Sequence, residues 1–102
     1  MPAKNVKFDS TVTEVGTIDD LDVVIQGELV PSPGFTVVYR KVLSDAQLTV
    51  IYQISGLNGT GFSITYTCTS DGVGKSDPAN PTGLKGTIMH NDYIEITLNI
   101  TM

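Results

Sequence analysis

Apolar and polar residues alternate along nearly the whole chain, and no window repeats at the i, i+3, i+4, i+7 spacing of an amphipathic helix. A period of two puts successive side chains on opposite faces of an extended segment, so the chain reads as a series of half-buried strands. Val6, Phe8 and Val12 share one face of the first, which turn residues at 16–20 close. Leu21, Val23, Ile25 and Leu29 share a face of the second, whose midpoint Gly27 suggests a bulge or bend. Pro31-Ser32-Pro33-Gly34 stops that strand. A third covers about 35–42, with the inward face open between Val37 and Val38, and Ser44-Asp45-Ala46 is its turn.

Leu48, Val50, Tyr52 and Ile54 mark a fourth strand, ended by the turn chemistry of Gly56, Asn58, Gly59 and Gly61. The fifth is the clearest: Phe62, Ile64, Tyr66 and Cys68 alternate with Ser63, Thr65, Thr67 and Thr69, one face apolar and the other a row of hydroxyls. An irregular stretch, 70–83, follows. Segments 84–90 and 93–101 then read as a hairpin about Asn91-Asp92, with Ile94, Ile96, Leu98 and Ile100 on the core face of the last strand. About seven short strands with regularly spaced turns predict an all-β, antiparallel β-sandwich of immunoglobulin or fibronectin type III kind, filling residues 1–102 as one domain. The disulfide and core Trp of antibody domains are excluded, because the chain has no Trp and one Cys.

Composition narrows the partners. With 40% hydrophobic and 17% charged residues the 102-residue chain is too apolar for disorder and reads as soluble and globular. Six Lys plus Arg against eleven Asp plus Glu give a net charge of −5, and Lys4, Lys7, Arg40, Lys41, Lys75 and Lys85 are scattered. Phosphate backbones need a basic patch, so nucleic acid and anionic membrane are not expected partners. No run approaches the ~20 apolar residues of a membrane span. The N-terminus lacks the apolar region of a signal peptide, leaving cytoplasmic residence or unconventional secretion as the expectation.

Candidate chemistry is sparse. His90, with Asp92 two residues on, sits at a strand end beside a tight turn, and nothing in the spacing holds it against a nucleophile, so no enzyme is expected. Cys68 shares its strand face with Phe62, Ile64 and Tyr66 and reads as a small core hydrophobe. Asp19, Asp20 and Asp22 cluster in one turn, but neither they nor Asp71, Asp77 and Asn80 follow the ligand ladder of a calcium loop, so no metal or other cofactor is expected. Gly74-Lys75-Ser76 copies the end of a phosphate loop without its first glycine or a following helix. Asn58-Gly59-Thr60 and Asn99-Ile100-Thr101 fit the glycosylation pattern, which matters only on a secretory route.

The 70–83 stretch remains, long for a connection, with Asp71, Lys75, Ser76, Asp77, Asn80 and Thr82 as polar reach and Pro78 and Pro81 as stiffeners. Together with the hydroxyls of Ser63, Thr65, Thr67 and Thr69 these six residues are the candidate ligand-binding set, offering directional donors and acceptors to a glycan or a protein surface. The leading expectation is therefore a non-enzymatic recognition domain, lectin-like or immunomodulatory. The alternative is an assembly module that forms a homo-oligomer, or joins another chain, through sheet edges or faces.

The run Thr36-Val37-Val38-Tyr39-Arg40-Lys41-Val42-Leu43-Ser44-Asp45 resembles a strand and turn of the fungal immunomodulatory proteins. Ser55-Gly56, Ser70-Asp71-Gly72, Gly86 and Tyr93-Ile94-Glu95-Ile96 fall near comparable residues of that family, so the likeness spans roughly 35–100. It implies an immunoglobulin-like sandwich, a homodimer, export without a signal peptide, and recognition of cell-surface glycans or receptors. That family dimerises through an N-terminal helix, for which residues 1–8 offer too few positions here, and its Trp-Gly-Arg-Gly loop is absent. Members generally lack Cys and His, whereas this chain carries Cys68 and His90, so no glycan-binding residue is carried across.

Overall fold

In the computed structural model, which describes residues 2–102, the alternating segments pair into two antiparallel sheets packed face to face. The strands are β1 (Lys4–Val15), β2 (Ile18–Ile25), β3 (Glu28–Val30), β4 (Thr36–Leu43), β5 (Gln47–Gly56), β6 (Gly61–Ser70), β7 (Val73–Lys75), β8 (Gly83–Thr87) and β9 (Tyr93–Thr101). The first sheet runs β4-β1-β6, with β7 and β8 both on the far side of β6; the second runs β3-β2-β5-β9. β1 is thus interior to its sheet, whereas the immunoglobulin order places its first strand at an edge. Among the described residues there is no α-helix, and residues 4–8 already belong to β1, so a dimerising N-terminal helix has no counterpart there. Met1 lies outside the described residues.

Period-two burial builds the core. Val6, Phe8 and Val12 of β1, Phe62, Ile64, Tyr66 and Cys68 of β6, and Leu48, Val50, Tyr52 and Ile54 of β5 are all buried between the sheets. Each large side chain so removed from water contributes about 1.5–3 kcal/mol. Val37 of β4 is the inward valine, while Val38 is 59% exposed. Phe62 lays its ring over Gly86, its cross-strand neighbour, where an added Cβ would meet the ring at 2.5 Å. Glycine is required there because the aromatic occupies the space of a side chain.

Three expectations are corrected by the pairing. Gly27 is not a mid-strand bulge. Gln26 and Gly27, at φ of 52° and 77°, form the two-residue turn of a β2–β3 hairpin that suits right-twisted strands. That hairpin pairs Leu29 with the outward Val24, which leaves Leu29 64% exposed instead of on the core face. The acidic residues Asp19, Asp20 and Asp22 lie on β2 and not in a turn, with a bulge between Ile18 and Asp20.

The final hairpin also fails. β8 pairs with β6 and β9 with β5, so the two lie in different sheets and only a His90–Tyr93 bridge remains of the expected partnership. Between them Ile88 is fully buried; its N–H donates to the Thr60 carbonyl and its own carbonyl accepts from the Gly59 N–H. The chain therefore crosses between the sheets at 88–92 because Ile88 is drawn into the core beside the β5–β6 turn. Ile94 and Ile96 keep the core side of β9 but remain only partly buried.

A buried polar contact joins the two layers at Ser10 and Tyr52. Ser10 of β1 is buried, and its hydroxyl donates to the Thr65 carbonyl at 2.9 Å. Its single proton being used there, the Tyr52 hydroxyl of β5 donates to Ser10 Oγ at 2.6 Å. Burial pushes the Tyr52 hydroxyl's pKa far above its ordinary value, partly opposed by this bond. Ser10→Ala leaves a buried hydroxyl without an acceptor and should cost about 1–3 kcal/mol, whereas Tyr52→Phe leaves Ser10 satisfied and should cost about 0.5–1.5 kcal/mol. Urea unfolding should give that order, and the double variant should lose less than the sum of the two.

Candidate functional site

The 70–83 stretch is an organised structure. Asp71 and Gly72, at φ of 49° and 79°, make a two-residue turn into β7, so an irregular segment is replaced by a short hairpin. β7 covers 68–70 of β6 and β8 covers 61–65, leaving a gap beside Tyr66 that residues 76–82 cross. The Tyr66 hydroxyl donates to the Asn80 carbonyl and accepts the Asp77 N–H at 2.8 Å. Asp77 is 7% exposed; its Oδ1 accepts the Ala79 N–H at 2.9 Å and its Oδ2 accepts the Asn99 N–H at 3.0 Å. Asn99 belongs to β9, the edge strand of the other sheet, so this one carboxylate fastens the crossing segment to both layers.

The six residues expected to bind a ligand are thereby divided. Asp77 turns its carboxylate inward and holds the segment in place, while Asn80 holds it through its backbone carbonyl alone. Lys75, Ser76 and Thr82 line a shallow groove of about 380 Å³ with the outward Thr67 and Thr69. Asp71 stands apart from that groove, on the rim of a different and larger hollow. Its Oδ1 accepts the Asn5 N–H at 2.7 Å and its N–H donates to the Asn5 carbonyl at 2.9 Å, which closes the hairpin against β1.

That larger hollow, about 700 Å³, opens where β4, β1 and the β6–β7 turn meet, and Val6, Lys7, Arg40, Lys41, Val42 and Asp71 are among its lining residues. It has no linear signature, because its parts lie at 5–7, 40–42 and 71–72, and only the antiparallel register that sets Arg40 against Lys7 unites them. Arg40 is oriented: one nitrogen lies 3.1 Å from each Asp9 oxygen, and the other donates to the Tyr39 carbonyl at 2.9 Å. Lys41 lies 3.5 Å from Glu28 of β3. Lys7 makes no ion pair among the described residues. Surface pairs of this kind are each worth about 0–1 kcal/mol, so an incoming anion exchanges with them at little cost.

Charge is segregated between the layers. Lys4, Lys7, Arg40, Lys41, Lys75 and Lys85 all lie on strands of the first sheet, against Asp9 and Glu14. The strands of the second sheet carry Asp19, Asp20, Asp22, Glu28 and Glu95 and no Lys or Arg. On the outer face of that sheet Asp22, Gln53 and Glu95 form one cross-strand row, next to a row of Leu29, Val24, Ile51 and Thr97. Tyr93 donates to Glu95 Oε2 at 3.2 Å, and partial desolvation, then Glu95, then Asp22 raise its hydroxyl's pKa.

The remaining candidates are quiet. His90 is exposed and its side chain makes no hydrogen bond among the described residues, while Asp92 Oδ1 is engaged by the Asn58 N–H at 3.0 Å. Among the described residues no group of three or more His, Cys, Asp or Glu is placed to hold a metal ion. No helix there is long and apolar enough to cross a membrane. Cys68 is buried, which pushes its thiol up to about 11, with Lys75 pulling the other way.

Two outcomes follow from these placements. Asp77→Ala should cost about 1–3 kcal/mol by stranding the Asn99 and Ala79 amides, and limited proteolysis should then cut within 76–82 sooner than in the parent. The Cys68 thiol binds its proton more tightly folded than unfolded, so its contribution to stability is complete below about pH 9 and is lost as pH rises through about 11. Tyr52 and Tyr66, also raised chiefly by burial, act in the same sense. Thermal unfolding followed from pH 7 upward should show a midpoint that falls in the alkaline range, with Cys68 alkylated by iodoacetamide only on unfolding.

Comparison with known protein families, with curated proteins and with solved structures finds no match to this chain.

Proposed function

We propose that this chain is a non-enzymatic recognition module that binds an acidic protein segment in the hollow on its first sheet. One observation carries the reading: a hollow of about 700 Å³ coincides with the basic side of a charge-segregated molecule. Concave sites of about 300–1,000 Å³ are the usual seats of ligands, and this one offers about 700 Å³. Arg40 is held in place by the Tyr39 carbonyl and Asp9, Lys7 is free to reach, and Val42, 64% exposed, supplies an apolar wall. A carboxylate flanked by an aliphatic residue meets both requirements, since it receives the guanidinium and ammonium donors while its neighbour covers Val42.

A second reading keeps the groove of Lys75, Ser76 and Thr82, where the hydroxyls of Thr67 and Thr69 add acceptors and donors for a glycan. The aromatic nearest to it, Tyr66, is 6% exposed with its hydroxyl engaged, so the groove lacks the open ring on which a sugar face packs. That favours the hollow.

A fluorescent peptide of alternating Glu and Val should bind the full chain and lose affinity at least about ten-fold in Lys7→Glu/Arg40→Glu, while a Ser-Val peptide should not bind. Ser76→Ala/Thr82→Ala should leave this affinity unchanged. If the Glu-Val peptide fails to bind and a glycan array gives signals that Ser76→Ala/Thr82→Ala removes, the groove is the site and the hollow is not.

A further inference from the structure

The acidic occupant of the hollow need not be foreign, because the opposite side of the same molecule presents one. We infer that the outer face of the second sheet, centred on Asp22 and Glu95, docks on the outer face of the first sheet of another copy, centred on Lys7 and Arg40, in a head-to-tail stack. This rests on the reading of the hollow as an anion-accepting site and names its partner.

Complementarity extends beyond charge sign. On the basic face Arg40 pairs with Lys7 in one cross-strand row, and Val38 and Val42 stand two residues to either side on the same face of β4. On the acidic face Asp22 and Glu95 share a row through Gln53, and Val24, Ile51 and Leu29 stand two residues along. Two residues of extended chain span about 6.7 Å on both faces. Seating the cation row on the anion row therefore sets a valine of β4, Val38 beside Asp9 or Val42 beside Asn5, against the aliphatic row of the acidic face. Val38, Val42 and Leu29 are 59%, 64% and 64% exposed, so the contact would cover apolar surface that each copy otherwise leaves in water.

The net charge of −5 opposes association only at long range. With a Debye length of about 8 Å at physiological salt, the facing rows decide the energy once the surfaces meet. A molecule measuring 43 × 23 × 19 Å has a broad face of the size that a stable interface uses, about 800 Å² per partner. The two faces lie on opposite sides of the sandwich and differ, so the contact is heterologous. Each added copy leaves one basic and one acidic face free, and the assembly grows across the thin dimension unless it closes as a ring.

Light scattering and sedimentation of the full chain over a range of concentrations test this. Mass should rise with concentration at about 50 mM NaCl, and the association constant should fall at least about ten-fold at about 500 mM. Lys7→Glu/Arg40→Glu and Asp22→Lys/Glu95→Lys, all exposed positions, should each be monomeric with an unchanged circular dichroism spectrum, and mixing the two should restore association. A parent that stays monomeric at every concentration in low salt overturns the stack. So does association that survives either charge reversal or the high salt, which would place the contact elsewhere. If the Glu-Val peptide binds the hollow while the parent stays monomeric, only the second-copy partner falls; if the peptide also fails, the hollow falls with it.

Discussion

The sandwich depends on two layers facing each other through side chains that alternate without slipping. Every extended segment that crosses the middle of the molecule must keep its odd or even set inward, because a shift of one residue would carry Phe8, Tyr52 or Ile64 into water and bring Lys7, Gln53 or Thr65 into the core. Ser10 and Tyr52 sharpen that constraint. Their buried hydroxyls meet across the layers only in one register of β1 on β6 and of β5 on its neighbours. An aliphatic core tolerates some sliding; a hydroxyl pair with a single carbonyl acceptor does not.

Much of this was legible from the order of residues, and the places where reading stopped have physical causes. β5 and β6 were plain because strict alternation over a long run admits one face only. Leu29 was misplaced because a two-residue turn resets which face follows: pairing with Val24 turns it outward, whereas an uninterrupted extended strand would have kept it inward. β7 escaped because three residues carry no periodicity, although Asp71-Gly72 is itself a hairpin signal that could have been used. The β8–β9 hairpin was inferred from nearness along the chain, yet Ile88 and its bonds to the β5–β6 turn separate the two strands between sheets.

The surfaces were harder to read than the core. Asp77 and Asn80 have the composition of a recognition loop, and nothing in their identity tells that Tyr66 and Asn99 would claim them from distant strands. The hollow beside Lys7 and Arg40 was hidden for the opposite reason, since scattered bases in an acidic chain give no linear signal. Pairing β1 with β4 gathers four of the six bases onto adjacent strands, and the remaining two join the same layer through β7 and β8. A small net charge per residue can therefore conceal a strong dipole across a molecule whose layers differ in sign.

The bond from Asp77 to Asn99 has a consequence for how such a molecule reaches its final shape. β9 follows the other eight strands along the chain, it lies at an edge, and it carries neither lysine nor proline to discourage a passing chain. Its guard is a carboxylate from a segment anchored on the opposite layer, so the edge is sealed only after both layers have met. During synthesis, or after heat or shear has parted the layers, that border stands open as a template for misassembly even while each sheet is intact.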